Sequence, residues 1–449
     1  MESFREFGGN VHSLAADTVK VWWRLLPKLI TISVIGWLCY EILIRIGAAI
    51  APLQSFVALF MVSVGFLCLL AAIIACLTML GRELHVEEIV PTATLHQPLS
   101  TQMAVTILPF LGIYAVFNYV ERAANALVGN ALYLHGLSAD GLTDTLNPFA
   151  STSNAWSLVI VVVGAYVVRR VFDVLQERTG ARIFGFGAAL IEGFFMLLLI
   201  LTGMRLIEWM LVWFMSLRVY QWLTLPYDGL VAIGRVIAID VPEIFSVTWS
   251  FLADRVWPAL LWTVGEPLLW LAVAALVYGS GVISLAELWR KGRPLHSSVP
   301  LTRHQKRKAQ LAEARHADSS GRGRRIGLEI AEAFFGDVDD KYLPTFQSLS
   351  LVVRTGTAFM AAYLLLYTGL NISLDLVEWL FEAIFGGLDL GLWVGLHSLL
   401  GLIKAAVFEP LRLSLLAVTF HHAMVVFRTK ASGRQPEAPS QGVRSVVMK

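Results

Sequence analysis

Apolar residues fall into long blocks separated by short polar stretches, and eight blocks are long enough to cross a bilayer: 27–48, 54–81, 103–125, 155–175, 183–214, 257–289, 346–370 and 391–428. About twenty residues at ~1.5 Å each cover ~30 Å of hydrocarbon. The pattern predicts an all-α fold, a polytopic membrane helical bundle of about eight transmembrane helices built from repeated helical hairpins. Segments 215–256 and 371–390 mix aromatics with charges at helical spacing, as at Trp222, Tyr227, Ile237, Phe245, Trp249 and Phe251. They are expected to be outer-face interfacial helices, with Trp and Tyr at headgroup level.

The blocks divide the chain into membrane hairpins 1 and 2 (1–182), hairpin 3 with its interfacial outer segment (183–289), a basic cytoplasmic insertion (290–345), hairpin 4 (346–428) and a disordered cytoplasmic tail (429–449). An internal repeat supports the pairing. Glu266-Pro267-Leu268 and Glu409-Pro410-Leu411 each open an apolar run that ends in a basic tail, Arg290 to Pro294 in one case and Arg428 to Pro436 in the other. Each hairpin also carries a glutamate in a similar apolar and aromatic setting: Glu41, Glu121, Glu208 and Glu378. Leu26-Pro27 and Leu108-Pro109 are read as the beginnings of the first two hairpins. Repeats with an even number of spans share orientation, related by an axis along the membrane normal.

Cations set the topology. Lys20, Arg24 and Lys28 precede the first span, Arg169, Arg170, Arg178 and Arg182 join the fourth and fifth, and a strongly basic stretch joins the sixth and seventh. By the positive-inside rule these loops are cytoplasmic, which puts both termini inside a plasma (inner) membrane. The loop 82–102 dissents, with Arg82 against Glu83, Glu87 and Glu88.

Composition agrees with a membrane protein: 57% of the 449 residues are hydrophobic and 15% charged, against roughly 25% charged in a soluble domain. The net charge of +2 says nothing about partners, since the charges are sorted between loops. Cys39, Cys68 and Cys76 lie inside apolar runs without CxxC or Cys/His spacing, so they are read as packing residues and no metal or other cofactor is expected. The chain has no GxxxxGK[ST] phosphate loop, no HExxH and no GxSxG elbow, and it is not expected to be an enzyme.

A few residues carry possible chemistry. Glu266 and Glu409 each stand before a proline, which lacks an amide hydrogen and crowds the preceding turn, so a break or kink is expected there. Freed backbone groups beside a carboxylate would suit a cation or polar solute, while the plainer alternative is an ordinary Glu-Pro helix start. Glu192, about nine residues or ~14 Å into its block, lies nearest the bilayer midplane and is a solute or proton candidate. Its partner could be Arg354. His421 and His422, adjacent and therefore on different helix faces, suit bundle hydrogen bonds or a proton relay. Glu41 and Arg45, one turn apart, suit a structural ion pair.

Polar clusters elsewhere are read as solvated. These are His85, Glu87, Glu88 and His96, and Asp337, Asp339 and Asp340, which lack the remaining features of a calcium loop. Arg303, Lys306, Arg307 and Lys308 suit lipid headgroups or a partner protein, and the orientation signal needs no nucleic acid. The expected function is a non-enzymatic integral membrane subunit that anchors or assembles a membrane complex in envelope or lipid handling. Its partners would be the bilayer and another membrane or cytoplasmic protein. The alternative is a secondary transporter of a small polar or lipid-like solute using intramembrane carboxylates.

Overall fold

The computed structural model describes residues 2–89, 99–136, 160–168, 170–172, 182–218, 247–278, 357–386 and 390–432. These residues are 96% helical, with no strand among them. The longer helices are α1 (Glu2–Ile50), α2 (Ser55–Glu83), α3 (Leu99–Val116), α4 (Tyr119–His135), α5 (Arg182–Ser216), α6 (Val247–Tyr278) and α7 (Thr357–Phe385). The last, α8, comprises Leu390–Ile403, a π-helical turn Lys404–Phe408 and Glu409–Ser432.

Among the described residues, four helices are long and apolar enough to cross a membrane: Phe7–Ile50, Ser55–Glu83, Val247–Tyr278 and Thr357–Phe385. Their outward faces carry Ile35, Leu38 and Ile42 on α1, Trp249, Phe251 and Trp257 on α6, and Ile372, Leu376 and Trp379 on α7, all exposed. Apolar faces on this scale are covered by lipid in a bilayer-spanning bundle, so the chain is a helical membrane protein.

Small residues bring the helices together. α1 and α2 form an antiparallel hairpin in which a Cβ placed on Gly36 would sit 2.5 Å from the Cβ of Ala72. Ser33 meets Cys76 and Arg24 meets Glu83 along the same hairpin. α8 also runs antiparallel to α1. Ser398 hydrogen-bonds Glu41 and Arg45 at one end, Gly401 lies against Trp37, and His422 meets Asp17 at the other end. The interval from 17 to 41 on one helix thus matches 398 to 422 on the other, roughly 36 Å of helix. The bundle core is rich in aromatics, with Trp270, Tyr278, Tyr363, Tyr367, Phe110, Phe117 and Phe420 fully buried.

Several expectations need correction. Of the break or kink expected at Glu266-Pro267 and Glu409-Pro410, the break is absent: both glutamates keep right-handed helical dihedrals, and π-helical turns Leu261–Gly265 and Lys404–Phe408, irregularities of the kind that kink helices, come immediately before them. A third π-helical turn, Phe251–Val256, precedes Trp257-Pro258. The reason is local. A proline ring presses on the carbonyl four residues back and offers it no hydrogen, and those carbonyls belong to Asp254, Thr263 and Ala406, all inside the π turns. Widening the helix by one residue relieves the clash without breaking the rod.

Pro27 and Pro109 likewise lie inside α1 and α3 and do not begin them. The expected span 103–125 is two helices, because the chain turns at Phe117 and Asn118. Asn118 takes a left-handed φ of 58°, which asparagine tolerates better than most residues. The first part of the expected interfacial stretch 371–390, up to Phe385, is the uninterrupted continuation of α7, since its apolar periodicity never lapses. Residues 247–256 similarly continue into α6.

Candidate functional site

The π turns place both repeated glutamates on the wall of one chamber. Glu266 on α6 and Glu409 on α8 line a cavity of about 360 Å³ together with Tyr119 of α4 and Thr368 of α7. Its floor is buried: Glu266 is 1% exposed and Arg412 is 8% exposed. Arg122 and Asp375, both exposed, stand at its rim.

Tyrosines organise the first carboxylate. Tyr119 donates its hydroxyl to Glu266 Oε1 at 3.0 Å, and Tyr367 donates to the same oxygen at 3.3 Å. One turn earlier on α7, Tyr363 donates to the carbonyl of Pro267 at 2.7 Å, pinning the start of the helix that carries Glu266. The other oxygen, Oε2, is buried without a hydrogen-bond partner. That matters because buried polar atoms are almost always satisfied.

The second carboxylate has a cation. Arg412, three residues beyond Glu409 and therefore on the same helix face, places Nη2 2.6 Å from Glu409 Oε2. Its guanidinium carbon lies 4.3 Å from the centroid of the Trp270 ring, a cation–π contact inside the bundle. Arg412 Nε and Thr368 Oγ1, also on the chamber wall, are buried without hydrogen-bond partners. Near the rim, Arg122 lies over the rings of Tyr119 and Trp262 at 5.5 and 5.7 Å.

A second cavity of about 920 Å³ adjoins the first and shares Tyr119, Arg122, Glu378, Lys404 and Glu409 with it. Its remaining wall is mostly apolar, including Trp37, Ile44, Phe66, Leu69, Ile73 and Leu413. Both volumes lie in the range of about 300–1,000 Å³ typical of small-molecule sites. A charged compartment therefore opens onto an apolar one.

The other candidates lie apart. His422 Nε2 is 3.1 Å from Asp17 at the far end of the α1–α8 contact. The ring of His421 is 5.8 Å from that of His422, and its Nδ1 is buried without a partner. Glu41 Oε1 is 3.1 Å from Arg45 Nη2, and both meet Ser398, so this group ties α1 to α8. Glu41 also borders the larger cavity. Glu192 belongs to α5, but its side chain lies outside the described residues, as do Arg354 and the whole of Arg303, Lys306, Arg307 and Lys308. Among the described residues no group of three or more His, Cys, Asp or Glu could hold a metal.

Sequence reasoning missed Arg412, Tyr119 and Tyr367. Arg412 had a signal, the Glu409-x-x-Arg412 spacing just after the proline; the tyrosines had none beyond their place in aromatic runs. No protein-family model, curated protein or solved structure matches the chain, so the functional reading rests on this geometry.

Proposed function

We propose that the protein is a secondary transporter of a small polar or lipid-like solute, which it holds in the chamber between α4, α6, α7 and α8. One observation carries this reading: Glu266, almost wholly buried, keeps one carboxylate oxygen without a partner on the wall of a cavity. An ionised oxygen there needs a donor and a protonated one an acceptor, and a bound solute can supply either. A carboxylate held at membrane depth is expensive unless it has work to do.

In this proposal the chain has eight spans in four hairpins, related as internal repeats, with both termini on the cytoplasmic side of the plasma membrane. The two Glu-Pro segments are equivalent elements that meet at one site, and the π turns before them give α6 and α8 places to flex during alternating access. The protein is not an enzyme in this reading. The role of a complex-anchoring subunit draws on exposed aromatic faces, and a surrounding bilayer accounts for those equally well.

The test is flux through proteoliposomes containing the full-length protein, challenged with a panel of amino acids, amines and single-chain lipids. Uptake of at least one of these is expected to depend on wild-type protein and to fall at least tenfold in Glu266→Gln. Wild-type rates from both Glu266→Gln and Glu409→Gln, for a solute the wild type moves, would sink the carboxylate mechanism.

A further inference from the structure

We infer that the solute is an amphipath with a cationic ammonium head and an apolar tail, the head on Glu266 and the tail in the larger cavity. This rests on the reading above that the chamber holds a solute.

The charge balance argues for the head. The chamber wall carries four carboxylates, Glu266, Glu409, Asp375 and Glu378, against three cations, Arg122, Lys404 and Arg412. Arg412 is held at contact distance by Glu409 and by the face of Trp270 and feels Glu266 only from further off, and none of the ion pairs among the described residues includes Glu266. A single incoming positive charge would therefore balance the wall where it is most deeply buried. Burying a carboxylate without such a partner is costly, which makes a cation preferable to a neutral donor.

The unsatisfied atoms agree. Glu266 Oε2 and Thr368 Oγ1 are both buried without partners, and both can accept hydrogen bonds. An ammonium offers three donors and no acceptor. The third unpartnered atom, Arg412 Nε, is a donor, and it suits an oxygen carried beside the ammonium.

The tail follows from the shared wall. Tyr119, Arg122, Glu378, Lys404 and Glu409 belong to both cavities, so a molecule whose head rests on Glu266 has the larger cavity adjoining. The apolar wall of that cavity, with Trp37, Phe66 and Leu69, gains from covering hydrocarbon and gains nothing from a small hydrated ion. Two sources share this chemistry, a free long-chain amine and a membrane lipid with an amine head.

The experiment uses full-length protein in phosphatidylcholine nanodiscs, titrated with dodecylamine, dodecanoate or dodecanol, with empty nanodiscs as the blank and native mass spectrometry counting bound probe. Dodecylamine is expected to bind at least tenfold more tightly than either of the others. Glu266→Gln should remove that preference while keeping wild-type helicity and elution volume. Ala126→Trp, which fills the larger cavity from an exposed position and leaves the carboxylate in place, should weaken dodecylamine and leave butylamine, titrated in addition as a short-chain control, unchanged.

Repeating the titration with phosphatidylethanolamine added to the nanodiscs separates the sources. Competition identifies the lipid, its absence identifies a free amine, and both support the inference. Equal or tighter binding of dodecanoate or dodecanol overturns the ammonium assignment but leaves a solute site. Absence of binding by all three probes overturns the solute-site reading as well. Unchanged dodecylamine affinity in Glu266→Gln refutes the assignment of the head to this carboxylate.

Discussion

Removing the negative charge of Glu409 should harm the protein more than removing the ion pair altogether. Arg412 is 8% exposed and has two charge-stabilising contacts, Glu409 Oε2 at 2.6 Å and the Trp270 face at 4.3 Å. Glu409→Gln leaves the guanidinium buried with the Trp270 ring and the more distant charge of Glu266 as its support. Breaking a buried pair from one side costs about 3–5 kcal/mol. Because the Glu409 side chain is 27% exposed, water screens part of the interaction and the lower end, about 3 kcal/mol, is the appropriate expectation.

Arg412→Met removes the buried charge itself and leaves a carboxylate that water reaches, for a loss of roughly 1–2 kcal/mol, mostly the cation–π contact. The double variant Glu409→Gln/Arg412→Met should then resemble Arg412→Met, within about 1 kcal/mol. At about 2–4 °C per kcal/mol, Glu409→Gln lowers Tm by roughly 6–12 °C, and the double variant by roughly 2–8 °C. The assay is thermal unfolding in one detergent, followed by tryptophan fluorescence at a fixed scan rate, since such transitions are often irreversible. A double variant as unstable as Glu409→Gln, or a Glu409→Gln protein as stable as wild type, refutes the view that Arg412 depends on Glu409.

Further expectations concern the packing and the chamber. Gly36→Ala should destabilise by about 1–3 kcal/mol, because the new Cβ overlaps Ala72 at 2.5 Å; the pair Gly36→Ala/Ala72→Gly should recover most of that loss in the same melt. Tyr119→Phe and Tyr367→Phe should each cost about 1.5–3 kcal/mol through the lost donor to Glu266 Oε1. In a Glu266→Gln background each should cost less, which a double-mutant cycle measures. Asp17→Asn should change stability by less than about 1 kcal/mol, since Asp17 and His422 are 48% and 29% exposed at the side chain; a loss above about 2 kcal/mol would assign this pair a buried role.

Long helices were legible because a run of apolar side chains is a one-dimensional signal. The blocks at 54–81 and 183–214 coincide closely with α2 and α5. The block at 27–48 captured only the C-terminal part of α1, which continues back to Glu2 through residues too polar to enter a hydropathy reading. The turn at Asn118 was not legible, because a left-handed asparagine inside an apolar stretch leaves periodicity almost unchanged. The π turns were half legible. The prolines announce trouble for the carbonyl four residues back, but whether a helix answers by breaking or widening depends on what packs around it.

Sequence alone determined that this is a helical membrane protein with two Glu-Pro-Leu segments, since composition and local spacing need no partner to be read. Only the tertiary structure decided that Glu266 and Glu409 share one chamber, that Arg412 and not a histidine accompanies them, and that an apolar cavity adjoins. Those facts depend on which helix faces meet across more than a hundred residues of chain, as Tyr119, Tyr367 and Glu266 do. Such meetings are set by the close approach of small residues such as Gly36 and Gly401 and by the rotation each π turn adds to its helix, and neither quantity is local.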